Sequence, residues 1–382
     1  MFWLMLALTA CTSVPVQPPA VIATAAKAPA ARSAPQTLAA NRSIEICADT
    51  FADNSGLADA SKAIQHCLAT MKQWEMPAGI YRIGTALDIR QPIVWSGNAT
   101  LIADANITGT AGHDMVMAAY ISRVTIRGLT FDGNRANRRT SFCDGTVNAY
   151  AGSNVHFDHV DDVILEGITT RNAVCGSGMH FSGNRAVIRN NTFQGNGFHG
   201  KQQWADGLTL LQCSGCDVSG NRFIDNSDVS LVFGGGTNTQ IHHNTFTQTT
   251  PIFAAIALDN FNGSQTGNFT GSAVFSNEID CNCDFGINIG PHAWYLSPHT
   301  IGGSVHNNSI KGAKIGIMID GAGTKTDPVA VFSNRITPFL LCGSTAQFSC
   351  GARTVCDIKV SPDANTNRID SPALRQDHHE CP

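Results

Sequence analysis

At 382 residues the chain has room for one large domain, for two ordinary ones, or for a single solenoid stack on one continuous core. Only 14% of the residues are charged, the net charge is -4 and no basic stripe occurs, which argues against a chain that holds nucleic acid through its phosphates. With 43% hydrophobic residues and 36 Gly, a turn-rich folded protein with a polar, near-neutral partner fits better.

Residues 1–10 are an apolar run, too short to span a membrane as a mature helix. It ends at Leu8-Thr9-Ala10-Cys11, which resembles the lipobox of bacterial lipoproteins. The resemblance implies a signal segment over 1–11, lipidation of Cys11, and an exported protein held at the outer membrane, in the periplasm or at the cell surface. No Lys or Arg precedes the run, a departure from the usual signal pattern; the alternative is an ordinary signal peptide and secretion. Residues 12–41, rich in Ala and Pro, lack a patterned apolar face and read as a flexible tether. That leaves 42–382 as the folded domain, touching a membrane only through the lipid.

There are 13 cysteines, and setting Cys11 aside leaves an even set, which suits disulfides in an oxidising compartment. Cys213-Ser214-Gly215-Cys216 has no second ligand pair at zinc spacing, and a local staple is the preferred expectation. Cys281 and Cys283 stand at i and i+2, on one side of a strand, so each is expected to bond a neighbouring coil. The first predicted element is a helix within Ser55–Met71, whose stripe of Ala60, Ile64, Cys67, Leu68 and Met71 suits a cap on a solenoid end, with Cys47 and Cys67 able to pin it.

Beyond the helix the chain repeats itself. Six segments share an aliphatic residue, an Asn three positions on, and an aromatic or aliphatic residue two further: Ile188-Asn191-Phe193, Val218-Asn221-Phe223, Ile241-Asn244-Phe246, Val274-Asn277-Ile279, Val305-Asn308-Ile310 and Val331-Asn334-Ile336. The earlier Ile126-Leu129-Phe131 and Leu165-Ile168-Thr170 keep the frame with an apolar residue in place of Asn. The Asn steps of 30, 23, 33, 31 and 26 residues suit stacked coils with loops of varied length. An Asn at each bend can take a left-handed backbone and bond its neighbours as a ladder. Between the bends lies a period-two repeat, Gly178–Phe181, Gly207–Leu210, Ser230–Phe233, Ala255–Leu258, Gly286–Ile289 and Gly316–Ile319. Its outward line is His180, Thr209, Val232, Ala257, Asn288 and Met318. Four cysteines between Cys342 and Cys381 suit a stapled C-terminal cap. The fold expected is all-β: a right-handed parallel β-helix with an N-terminal capping helix.

The run Asp49–Gly56, then Ala63-Ile64, Met76–Ile83 and Gly128–Asn134, resembles the pectate-lyase-like β-helix superfamily, which includes polygalacturonases and phage tailspikes. The resemblance implies a polysaccharide as partner. Polygalacturonases use aspartates clustered from adjacent coils, and Asp206-Gly207 is similar to the first of their motifs, with Asp228 near the second. The departures are several: Trp204-Ala205 precedes Asp206, Ser227 precedes Asp228, Thr249-Thr250-Pro251 stands where a Gly-His-Gly is expected, and Arg-x-Lys is missing. Aligning Leu208 with Leu231 sets Asp228 opposite Ala205, one position off Asp206.

The candidate catalytic residues are Asp206, Asp228, Asp225, His199 and Lys201; each Asp has a bland alternative as a turn residue. His180, Trp204, Asp259, His292 and Trp294 are the candidate substrate-binding residues. Hydrolysis would use Asp206 and Asp228, and β-elimination would use Lys201 or His199 as base. Elimination also needs a cation beside a uronate, which calcium held by Asp206, Asp225 and Asp228 could supply. The alternative from another class is a noncatalytic, surface-anchored glycan-binding or adhesion protein.

Overall fold

A computed structural model describes residues 43–108, 113–138, 152–201, 203–258, 267–290, 302–319 and 329–337, and the backbone of 356–360 and 368–370. Of the expected cap on the 342–381 cysteines only the backbone at Cys356 is described; Cys342, Cys350 and Cys381, together with Cys11, Asp259, His292 and Trp294, lie outside the described residues.

Short strands stack in parallel, each on its counterpart one coil away, so the chain winds as a parallel β-helix with three faces. Face A carries Val155–Asp158, Gly176–Asn184, Ala205–Ser214, Val229–Phe233 and Ile315–Ile319. Face B carries Ile164–Glu166, Val187–Arg189, Asp217–Ser219, Gln240–His242, Ala273–Phe275, Ser304–His306 and Ala330–Phe332. Face C carries Thr169–Arg171, Thr192–Gln194, Arg222–Ile224 and Ser309–Lys311. In two coils, the strands Thr245–Leu258 and Glu278–Ile289 run through from face C to face A. Inside, like stacks on like: the Phe193, Phe223 and Phe246 rings lie parallel at 4.9 and 4.6 Å. All three are fully buried, each worth about 2–3 kcal/mol of transfer free energy.

The asparagine ladder runs along the bend between faces B and C. The backbone and side-chain amides of Asn221 donate to Asn244 Oδ1, both at 2.9 Å. Asn244 does the same to Asn277, Asn277 to Asn308 and Asn308 to Asn334. The left-handed backbone falls one residue earlier than expected, on Asn190, Gly220, His243, Ser276, Asn307 and Ser333. The reason is a division of labour: the preceding residue turns the chain, which frees the ladder Asn to aim its amide along the stack.

The capping helix is Ser61–Thr70, shorter than the apolar stripe suggests, because Ser55–Asp59 forms a strand. The Asp53 carboxylate ties the stretch before the helix down by accepting from the Ser55, Leu57 and Ala58 amides. These bonds hold its acidity to about 2, against the opposing effect of burial. Cys47–Cys67 pins the helix and Cys213–Cys216 closes locally, as expected. Cys175 is also disulfide-bonded. Cys281 and Cys283 correct the sequence expectation: they are bonded to each other. The residues in register with them on the preceding coil are Gln248 and Ile252, so no cysteine stands opposite.

The expected outward line on face A is in register, His180 on Thr209, Thr209 on Val232 and so on to Met318. All six residues are nevertheless buried. Val232 and Ala257 belong, with Val229 and Ala254, to a small apolar cluster outside the coil core, against Phe253 and Phe285.

Candidate active site

Where faces C and A meet, the ordinary turn has its own recurring form. Asn172, Gly195 and Asp225 take the left-handed backbone, and the next residue turns inward. Asn196 donates from its backbone and side-chain amides to Asn226 Oδ1, at 3.3 and 2.8 Å, a second and shorter ladder that sequence reasoning missed. This assigns Asp225: it is the turning residue, and its carboxylate accepts the Thr249 amide at 2.7 Å and hydroxyl at 2.9 Å. Asp225 is therefore a bend residue, and the expected grouping of Asp206, Asp225 and Asp228 does not assemble. Among the described residues no three His, Cys, Asp or Glu side chains gather as a metal site.

Beyond Asn226 the turn loses its regular form and a cleft of about 380 Å³ opens. Its residues climb the stack: Asp228, then Ile252 and Phe253, then Cys283 and Asp284, then Lys314, with His199 and Trp204 at one end. Asp228, Phe253, Asp284 and Lys314 hold one register position, immediately before the paired residues Val229, Ala254, Phe285 and Ile315. Lys314 and Asp284 form an ion pair there.

The end wall is a short loop. Gly197 enters it at φ +69 with the Ser227 hydroxyl against its α-carbon, where no β-carbon fits. Ser227 then clamps the loop to the next coil, donating to the Gln203 carbonyl at 2.7 Å and accepting from the Ala205 amide at 3.0 Å. The clamp holds Trp204, 43% exposed, edge-on to the His199 ring at 4.9 Å. Lys201 sits in the same 3-10 turn but is exposed and does not line the cleft.

The one-position offset between the two aspartates is as read from the sequence: the Asp228 amide bonds the Ala205 carbonyl, and the Val229 amide bonds Asp206 Oδ1 at 3.2 Å. Asp228 thus faces the cleft, while Asp206 lies behind it, partly buried, accepting also from Thr209 Oγ1 at 2.6 Å. Burial raises both carboxyls well above the usual range, and the Asp228 charge raises Asp206 further, against the hydrogen bonds from Thr209 and Val229. Two like charges this close share one proton around neutral pH.

His180 is not a groove residue. It is 4% exposed, its ring meets the edge of His156 at 4.7 Å, and burial lowers its pKa to about 3. His156 is the more basic of the two rings, bonded to Asp114 at 3.1 Å and raised by it although burial opposes. Sequence reasoning missed Phe253, Asp284 and Lys314. Counting two residues back from Ser230, Ala255, Gly286 and Gly316 lands on the whole cleft column.

A family model described as the right handed beta helix region matches residues 88–246 and 122–293. No curated protein sequence matches the chain. Among solved structures, a polygalacturonase from Erwinia carotovora ssp. carotovora is similar at TM-score 0.56 and 13% identity, covering 83% of this chain and 95% of that one. A hyperthermoactive exopolygalacturonase from Thermotoga maritima is similar at TM-score 0.54 and 12% identity, over 74% of this chain and 84% of that one. The enzymatically active domain of bacteriophage CBA120 tailspike protein 2 is similar at TM-score 0.55 and 11% identity, over 83% of this chain and 45% of that one. At these identities the likeness concerns the fold.

Proposed function

Because the chain belongs to the right-handed β-helix family, whose strands here form an open cleft across several coils, we propose that it hydrolyses a glycosidic bond of a polysaccharide laid along that cleft. The observation that carries the reading is a carboxyl of raised pKa, Asp228, facing the cleft beside an exposed Trp204 and an ion-paired carboxylate, Asp284. Two coil steps separate Asp228 from Asp284, about 9.5 Å at the usual strand spacing. That separation suits an acid and a base with a water between them. In this reading Asp228 gives its proton to the glycosidic oxygen as the carbon–oxygen bond breaks. Water attacks the anomeric carbon from the Asp284 side and leaves its proton on Asp284, with inversion. Phe253, between them, is the floor on which the ring rests. The disulfides support action in an oxidising compartment, in keeping with an exported, lipid-anchored or secreted protein.

The test is to incubate the purified protein with uronate-containing and neutral polysaccharides, following new reducing ends, the product anomer by NMR, and absorbance of unsaturated products. New reducing ends of inverted configuration, lost in Asp228→Asn and Asp284→Asn, are expected. Unsaturated products dependent on calcium would move the reading to β-elimination. Binding of one glycan with no turnover would move it to adhesion.

A further inference from the structure

Resting on the reading of Asp228 as the acid, we infer that Ser177 and Thr209 form a hydroxyl chain that keeps Asp206 ionised and so leaves the proton shared by the two carboxyls on Asp228. Neither hydroxyl belongs to the cleft: both residues are 1% exposed, on the coils behind it. Ser177 stands in register with Asp206 one coil away, and its Oγ lies 2.6 Å from Thr209 Oγ1. Thr209 Oγ1 in turn lies 2.6 Å from Asp206 Oδ2.

The hydrogen atoms can be counted. Each hydroxyl has one proton to give. With Asp206 ionised, Thr209 gives its proton to Oδ2, Ser177 gives its own to Thr209, and the Val229 amide serves Oδ1. Every donor has an acceptor. With Asp206 protonated on Oδ2 the chain reverses: Asp206 gives to Thr209, Thr209 gives to Ser177, and the Ser177 hydroxyl is left without an acceptor in a buried place. Protonation on Oδ1 instead turns a proton toward the Val229 amide. Either way a buried donor goes unmet, which native interiors rarely tolerate.

Asp228 has the opposite setting. No protein group bonds its carboxyl among the described residues, and it opens to the cleft where water or a glycosidic oxygen takes the proton. Burial and the Asp228 charge both draw the proton toward Asp206, and the two directed donors are what must outweigh that pull. The other ionisable groups nearby do not decide the matter. His180, in register with Thr209, is held neutral by burial, His199 stands at the mouth, and Asp284 is matched by Lys314. Thr209 and Ser177 are accordingly positioning residues, acting through Asp206.

The experiment is isotope-edited infrared spectroscopy of the full chain at neutral pH, with labelled aspartate, following the carbonyl band of a protonated buried carboxyl. The band is expected in the wild-type chain, absent in Asp228→Asn, and present again in Asp228→Asn combined with Thr209→Val, because burial then returns the proton to Asp206. Thr209→Ser combined with Asp228→Asn, which keeps the hydroxyl, is expected to lack the band. A band already present in Asp228→Asn, or absent from the combination with Thr209→Val in a chain whose circular dichroism is unchanged, overturns the inference. In parallel, Thr209→Val is expected to lower kcat about tenfold or more with KM little changed, and Thr209→Ser to restore it. If the infrared pattern holds while no glycan is cleaved, the proton placement stands and the glycan reading is the one that fails.

Discussion

The two bends that flank face C begin alike and end differently. Along the B–C bend, each coil has a left-handed residue and then a buried Asn, and the pattern persists unchanged from Asn191 to Asn334. Along the C–A bend the same device appears at Asn196 and Asn226 and then stops; the next coils run straight through. The cleft opens where it stops. A fully satisfied ladder fixes its backbone so tightly that no side chain remains to meet a ligand, whereas the lapsed bend leaves Asp228, Phe253, Asp284 and Lys314 in one open column.

If this contrast is sound, substitutions in the two bends fail in different ways. The largest effect is expected from Asp228→Asn: a loss of about 10³-fold in kcat, with denaturant midpoint unchanged or higher, measured by steady-state kinetics and urea unfolding. Next comes Asn244→Ala, which orphans two amides of Asn221 and removes donors to Asn277 and Val218. A loss of about 3–4 kcal/mol in urea unfolding is expected, with the activity of the folded fraction retained. Asn226→Ala, in the shorter ladder, is expected to cost about 2 kcal/mol and also to lower activity, since Ser227 and its loop clamp follow directly. Equal effects at Asn226 and Asn244 on both stability and rate would erase the distinction between the bends.

The smallest effect concerns pH. Asp206 and Asp228 both have raised folded values, so the folded chain binds more protons than the unfolded one above the ordinary carboxylate value of about 4. Their contribution to stability is therefore full at low pH and is lost as pH rises from there through the raised values. Asp206→Asn is expected to flatten this decline, raising the melting temperature at pH 8 by a few degrees relative to wild type and changing it little at pH 5. A melting temperature that falls equally in both chains would remove the pair as its cause.

Much of this fold could be read from residue order because a solenoid repeats its instructions. The Ile-x-x-Asn-x-Phe frame, the apolar stripe over Ala60 to Leu68 and the close pair Cys213 and Cys216 are local patterns with local consequences. Even the offset between Asp206 and Asp228 followed from aligning Leu208 with Leu231. What escaped was non-local. That His180 is covered, or that Ser227 clamps a loop 24 residues earlier in the chain, depends on what the neighbouring coil brings. Asp225 misled because turning a chain and binding a ligand draw on the same residue type.

The B–C ladder also has a polarity: from Asn221 to Asn308 each Asn gives its backbone N–H and one side-chain N–H to the Asn carbonyl of the coil after it, and only one side-chain N–H to a backbone carbonyl of the coil before it. A chain severed within the stack would therefore have unlike wounds. The upstream piece would end on an Asn with two N–H groups that have lost their acceptor, backbone and side chain, and the downstream piece would begin on an Asn with only one, from its side chain. Stranded N–H groups are tolerated less well than an idle oxygen. Fragments truncated after a ladder coil should thus aggregate or fray sooner than fragments that start at one, giving assembly of the solenoid a preferred direction of repair.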